Sequence, residues 1–437
     1  MDITLDGRLD APLLGVMNFL NEVVLRYPAA ISFAPGRPSE RHFDVEGSLD
    51  RAALWVDSRS RASGRSVREV WNDLGQYNRT NGIIHELIAR QLAVDEGIDA
   101  APESIVVTTG CQEGMAVLLL GLIDPAADAV LISDPSYIGI PGLARIIGLP
   151  LVPVPTGENG LAPEAVSVGI ERARRLGRRP RALYDVPDFN NPLGTTMPLE
   201  ARHALLALAR EHGMLIWEDN PYGMFAYDGP PLPTLKSLDE HGVVVYMGSF
   251  SKTLFPGLRL GYLVADQQVV LPNGDRVLLA AELSKVKSLT TVTTSPVVQA
   301  VAGGILIETG GSLRPLMEEK LPFYRANRDR MLACLEQSLG GVAGVRWNRP
   351  AGGFFLTLDL PFEFSDECLE ACARDFGVVV CPMSFFALTP GRERQVRLAF
   401  SYVNGEQITE GVARLARFVR QRAAAREPAL SAAGQRS

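Results

Sequence analysis

Lys252 is the reactive side chain whose neighbours restrict its chemistry most. It lies in Gly248–Tyr262, which reads GSFSKTLFPGLRLGY. The apolar run Val243–Met247 leads in and Leu258–Val264 leads out, both with the pattern of buried strands. Ser249, Ser251 and Thr253 flank the lysine, and Pro256 with Gly257 turns the chain. A primary amine held in a small-residue loop at a strand end can form a Schiff base with a carbonyl. The cofactor carbonyl most often met this way is pyridoxal 5′-phosphate, PLP. Arg259, a few residues on, offers a fixed cation to a phosphate. The plain alternative is a solvated lysine beside a turn. A phosphate-loop reading fails, because it needs a Gly-Lys pair and the chain has none.

Other strand ends carry residues suited to the same chemistry. Ile105–Gly114 reads as a strand, a tight turn and a helix start, with Gly110, Cys111 and Gln112 at the turn. Free backbone N–H groups at such a start suit a phosphate. The strand Ala129–Ser133 ends in Asp134-Pro135-Ser136-Tyr137, which leaves an aromatic ring at its tip. Arg181–Val186 runs into the turn Asn190-Asn191-Pro192-Leu193-Gly194. The strand from Met214 ends in Asp219-Asn220-Pro221-Tyr222. A buried carboxylate there can keep a pyridine nitrogen protonated, as PLP needs to act as an electron sink. Arg397 lies on the apolar strand Gln395–Ser401, with no acid between Val396 and Tyr402. A buried arginine needs a partner, either a ligand carboxylate or a distant acid such as Glu22. Gly36 sits between prolines in Ile31–Pro38, and Arg37 beside it points either at a substrate side chain or at solvent.

In this order, the segments resemble the class I/II aminotransferases of PLP fold type I, over about Ile31 to Ser401. The resemblance implies an α/β fold: a large, doubly wound, mostly parallel sheet domain plus a smaller α+β domain built from both ends of the chain. It implies an N-terminal arm and part of the small domain over 1–65 and the large PLP-binding domain over 66–315. Residues 316–437 would form the C-terminal small domain. It also implies roles. Lys252 would carry PLP and move the substrate α-proton. Asp219 would face the ring nitrogen, Tyr137 would stack on the ring, and Asn191 and Tyr222 would flank its phenolic oxygen. Gly110, Cys111, Gln112, Ser249, Ser251 and Arg259 would surround the phosphate. Gly36, Asn191 and Arg397 would meet the substrate, Arg397 at its α-carboxylate. Tyr77, in Gln76–Gly82, would reach the phosphate of a neighbouring subunit, which implies a homodimer. Cys111 departs from the family pattern, which usually has serine there, so the backbone and Gln112 are expected to hold the phosphate. Leu87-Ile88, where the family usually has Leu-Arg, is a further departure, and Asn220 takes a variable place in the family's Asp-x-x-Tyr pattern. The expected activity is ping-pong exchange of an amino group between an α-amino acid and a 2-oxo acid. The N-terminal segments resemble actinobacterial transaminases that make non-proteinogenic amino acids for peptide antibiotics, of 4-hydroxyphenylglycine or enduracididine type. Cyclase, oxidase and lyase chemistry on the same fold stays open, as does an aminotransferase-like regulator.

The remaining sequence sets the frame. The chain's 437 residues suffice for two lobes, with 46 % hydrophobic and 21 % charged residues. A formal net charge of −7 argues against a nucleic-acid partner. No apolar run approaches a membrane span of ~20 residues. The N-terminus lacks a basic start and an apolar signal core, so a cytoplasmic location is expected. The five cysteines form no CxxC and the histidines no HExxH, so free thiols and no metal site are expected. Helices are expected over Leu13–Tyr27, Ile83–Leu92 and Leu313–Leu339, and a helix or turn-rich helix over Glu282–Ala302. The small, polar tail Ala423–Ser437 is expected to be disordered.

Overall fold

A computed structural model describes residues 6–9 and 12–433. Seven strands form its main sheet: β1 (Ile105–Thr108), β2 (Asp128–Asp134), β3 (Leu151–Pro155), β4 (Arg179–Asp185), β5 (Leu215–Asp219), β6 (Val244–Ser249) and β7 (Gly261–Val264). Their spatial order is β1-β7-β6-β5-β4-β2-β3. Only β7 runs antiparallel to its neighbours; β3, β2, β4, β5 and β6 pair in parallel. Successive residues of one strand serve opposite cores. Val130 and Ile132 pack on one face with Trp217 and Val245, whereas Ala129 and Leu131 pack on the other with Leu183 and Ile216. A sheet covered on both faces explains the unbroken apolar runs.

This topology decides where the chemistry sits. The carboxyl ends of β1, β2, β4, β5 and β6 share one edge of the sheet. Because β7 runs the other way, its amino end, preceded by Arg259, reaches that same edge. Open α/β sheets bind ligands outside the carboxyl ends of their strands.

A second sheet, with β8 (Arg346–Trp347), β9 (Phe355–Asp359), β10 (Cys381–Pro382) and β11 (Gln395–Ala399), has the order β8-β9-β11-β10 and is wholly antiparallel. The N-terminal segment joins this part of the molecule. Ile31–Ser32 pairs in parallel with Val378–Val379, and the Phe33 carbonyl accepts from the Ala399 N–H at 2.7 Å. Residues from both ends of the chain therefore build the smaller lobe. The helices α1 (Pro12–Arg26), α2 (Cys111–Leu122), α3 (Arg314–Leu339) and α4 (Gly405–Ala433) frame the two sheets.

One expectation is refined and one corrected. The stretch 282–302 is two helices, Leu279–Ser288 and Pro296–Glu308, separated by a threonine-rich turn in which Val292 has φ +64°. Thr290, Thr291, Thr293 and Thr294 lower helix propensity there, and Pro296 fits only the first turn of a new helix. The C-terminal tail is helical through Ala433, because its run of alanines and arginines favours helix once α4 is nucleated; 434–437 lie outside the described residues.

Candidate active site

The strand ends converge on a cavity of about 700 Å³. Lys252 lines it, with Nζ donating to the Gly36 carbonyl at 3.1 Å and lying 5.9 Å from the Tyr222 ring centre. Burial, then the Arg397 and Arg259 cations, lower the Lys252 amine to about 8. A lysine so perturbed is a far better nucleophile near neutrality.

Asp219 ends β5 in the cavity wall and is buried. Its Oδ2 accepts from the Tyr184 hydroxyl at 2.8 Å, while Oδ1 has no hydrogen-bond partner. Burial raises its carboxyl to about 6, against the pull of Tyr184, of the nearby Cys111 thiol and of Lys252. The thiol itself is directed to the Gly248 carbonyl at 3.4 Å. Its ionisation is pushed well up by burial and by Asp219.

At the start of α2, Gly110 has φ +73° and no side chain caps the first N–H groups. A Cβ on Gly110 would stand 2.7 Å from Arg259 Nη2. The glycine therefore allows the guanidinium to reach the helix start. Arg259 itself is held at φ +48°. Cys111, Gln112, Ser249, Ser251 and Arg259 all line the cavity; Gly110 lies just behind it. Tyr137 also lines it, with its hydroxyl 3.4 Å from Gln112 Oε1.

Arg397 comes from β11 in the other sheet. Nη1 donates to Asn191 Oδ1 and Nη2 to the Ala34 carbonyl, both at 2.6 Å, and Nε has no partner. The guanidinium stacks between Phe355 and Phe386, 4.4 and 4.6 Å from the ring centres. Among the described residues no carboxylate pairs with it, so the Glu22 alternative falls. Burial lowers its ionisation. With Oδ1 turned to Arg397, the amide Nδ2 is the donor that Asn191 has left. Gly36 is a glycine for space: a Cβ there would lie 2.3 Å from the Phe355 ring. Tyr222 is buried against Phe354 and Phe355, with ring centres 5.5 and 5.6 Å away; burial pushes its hydroxyl strongly up.

Comparison with known proteins decides the family. The model for aminotransferase class I and II matches residues 75–415. The chain belongs to this family. A (S)-3,5-dihydroxyphenylglycine transaminase of Amycolatopsis orientalis is 45 % identical, over 96 % of this chain and 94 % of that one. A solved α-aminoadipate aminotransferase of Thermus thermophilus, complexed with N-(5′-phosphopyridoxyl)-L-leucine, is 30 % identical with a TM-score of 0.77, covering 95 % of this chain and 96 % of its own. A Pyrococcus horikoshii kynurenine aminotransferase, complexed with PMP, superposes with a TM-score of 0.82 at 27 % identity, covering 96 and 97 %. The chain is an α/β aminotransferase that uses PLP.

The residues present fit that cofactor. Asp219 Oδ1, buried and unpartnered, suits a ring N–H. The uncapped start of α2 beside Arg259 suits a phosphate. Lys252, Arg259 and Arg397 outnumber Asp219 as charges on the cavity wall, which suits a phosphate and a carboxylate together.

The structure leaves Tyr77 outside this cavity: it is 82 % exposed on its own chain. Arg37 reaches the cavity rim, but its guanidinium stacks 3.9 Å over the Tyr402 ring. Sequence reasoning missed Tyr184, Phe355, Phe386 and the Val24 and Leu25 wall from α1. Tyr184 left a signal. A hydroxyl within a buried strand needs a partner, and the pairing of Tyr184 with Trp217 places Asp219 two residues on, on the same face.

Proposed function

We propose that this cavity exchanges an amino group between an arylglycine-type α-amino acid and a 2-oxo acid, in the making of a non-proteinogenic amino acid for a peptide product. One observation carries the proposal: Lys252 Nζ, the unpartnered Asp219 Oδ1 and the carboxylate-free Arg397 guanidinium line one cavity. The similarity to a dihydroxyphenylglycine transaminase supports the arylglycine class. The apolar wall of Val24, Leu25, Met115, Ile138 and Phe386 supports an aromatic side chain.

When bound, PLP supplies an electron sink for the charge left as the substrate loses its α-proton. Asp219 holds the ring nitrogen protonated, and Tyr184 holds Asp219. Asn191 Nδ2 and the Tyr222 hydroxyl would hold the phenolic oxygen. The α2 N–H groups with Ser249, Ser251 and Arg259 would hold the phosphate, and Tyr137 would pack on the ring. Arg397 forks onto the substrate carboxylate, displacing its present bonds to Asn191 and Ala34. Lys252 Nζ would hold the cofactor and would move the proton at substrate Cα, a task suited to an amine that titrates near 8.

The enzyme works as a homodimer in the cytoplasm, with Tyr77 serving the partner's site. The five cysteines, all unpaired, suit a reducing compartment. Residues 316–437 would make the small domain with part of the N-terminal segment, through Ile31–Ser32, and 66–315 the large one, on whose core Ala52, Trp55 and Val56 also pack.

The test is a single-turnover screen of amino donors, followed by the absorbance of the bound cofactor. Dihydroxyphenylglycine and 4-hydroxyphenylglycine are expected to convert it faster than 2-aminoadipate, kynurenine or glutamate at equal concentration. Conversion by none of these amino acids would remove the transamination reading. Equal rates with all would remove the arylglycine class alone.

A further inference from the structure

Beneath the turn Asp219–Tyr222 lies a polar network that the chemistry above does not use, with Tyr246, Tyr262 and Gln91 buried and Glu96 and Asn220 partly so. The helix His85–Glu96 ends there. Glu96 Oε2 accepts from the Tyr246 hydroxyl and, at 3.1 Å, from Asn220 Nδ2. That same Nδ2 lies 3.2 Å from the Tyr246 oxygen. The other end of the amide, Asn220 Oδ1, accepts from the Gly223 N–H at 2.9 Å. The Asn220 backbone N–H is fixed to the Met247 carbonyl at 3.0 Å. One side chain thus ties helix 85–96 and β6 to a turn whose flanking residues are Asp219 and Tyr222.

We propose that Glu96 and Asn220 are a positioning pair for the reaction: Glu96 holds Asn220, and Asn220 sets the turn that aims Asp219 and Tyr222 into the cavity. This rests on the roles given above to those two residues. The amide is the right group for the place. It offers a donor to Glu96 and an acceptor to Gly223 at once, which a carboxylate cannot. A carboxylate at position 220 would set two acid oxygens about 3 Å apart, a spacing at which both cannot be ionised without repulsion.

Several groups face Glu96. Tyr246 and Asn220 donate to Oε2, and Gln91 Nε2 lies 3.4 Å from Oε1. The Tyr262 hydroxyl donates to Gln91 Oε1 at 3.2 Å. Asp95 adjoins on the same helix, its carboxylate engaged by Ser312, by the Leu313 N–H and, at 3.6 Å, by Arg314. Burial raises Glu96 to about 7, with the hydrogen bonds from Tyr246, Gln91 and Asn220 opposing and Asp95 adding. The Glu96 carboxyl therefore titrates in the range where the enzyme is assayed, whereas the Asn220 amide does not.

The experiment is Asn220→Asp in the holoenzyme, with kcat and KM measured from pH 6 to 9 beside PLP content and Tm. At pH 6 the two carboxyls share a proton and kcat stays near that of the parent. On the alkaline side both ionise, and kcat falls about tenfold, the worth of one charge-assisted hydrogen bond, with KM unchanged. Adding Glu96→Gln returns an N–H to the carboxylate and restores the parent profile. A pH profile of Asn220→Asp equal to the parent's, a loss that Glu96→Gln leaves unrepaired, or a fall in Tm without any change in profile would overturn the proposal. Should Asn220→Asp fail to fold, Asn220→Ala serves. It loses both contacts and is expected to lower kcat about tenfold at every pH, and a kcat within about twofold of the parent would overturn the pairing. The roles of Asp219 and Tyr222 are tested apart. Turnover that survives Asp219→Ala and Tyr222→Phe removes the parent reading, whatever Asn220 does.

Discussion

Arg397 and Lys252 are two cations in one cavity, and the first lowers the ionisation of the second. Arg397 has spare donor capacity and no carboxylate among the described residues. Arg397→Ala is expected to lower kcat/KM for the amino acid by about 30- to 4,000-fold, the cost of about 2–5 kcal/mol for one partner of a buried charged pair. The corresponding amine without the carboxylate should lose far less. Equal losses on both, where both react, would make the arginine a support of the fold. The same substitution has an effect on Lys252. Its amine titrates at about 8, lowered first by burial and next by Arg397. In the apoenzyme, the rate of Lys252 acetylation, followed by peptide mass spectrometry, should rise with pH to half its maximum near 8. Removing the Arg397 cation favours the protonated amine, so the midpoint moves upward. A midpoint that stays in place would show that burial and Arg259 set it without Arg397.

Single elements decide how these groups meet, and glycine is the hinge at the start of α2. Gly110 combines φ +73° with a Cβ position 2.7 Å from Arg259 Nη2. Gly110→Ala is expected to weaken PLP binding about 5- to 150-fold, matching about 1–3 kcal/mol of local strain, while Tm of the apoenzyme moves little. PLP titration by fluorescence checks it; unchanged affinity would mean that the helix start is not the phosphate site. Here the sequence was legible, because a tight turn between an apolar strand and a helix has few solutions. The same holds for β5 and β6, whose apolar runs end at Asp219 and just before Lys252. Partners drawn from far along the chain were not legible. Phe355, on the neighbouring strand β9, and Phe386 sandwich Arg397, while Asn191 meets it from the other lobe, and no local period records those contacts. Over 282–302 the turn-rich character is legible in the sequence but the place of the break, near Val292, is not, for another reason. A helical pattern on both sides of a short turn reads as one helix until the backbone shows a β-branched residue at positive φ. Helix 85–96 was seen only as far as Leu92, so Glu96 and its hold on Asn220 were lost with the missing turn.

At the scale of the molecule, the β1 edge of the sheet is where a second copy is expected. The Val107 N–H donates to the Asn81 carbonyl at 2.8 Å, and the Thr294 hydroxyl donates to the Val107 carbonyl at 3.0 Å. Gln299 joins the two covering segments, accepting from the Ile83 N–H and donating to the Thr294 carbonyl, both at 2.8 Å. These segments carry large apolar side chains into solvent: Tyr77 on one, Leu289 and Val292 on the other. Val292 holds a conformation that costs a β-branched residue about 1–3 kcal/mol, an investment that a packed interface would explain. In a twofold pair the same surface meets itself, so each Tyr77 would enter the other chain's cavity. A mixing experiment follows. Lys252→Ala removes the amine from its own site but still lends Tyr77 to the partner. Tyr77→Ala keeps its own amine but lends no hydroxyl. Each homodimer is therefore defective at both sites, whereas the mixed dimer has one intact site of two. With random exchange about half of the dimers are mixed, so activity should recover to about a quarter of the parent value. Confirmed exchange with no activity above the sum of the two parents would place Tyr77 away from any active site.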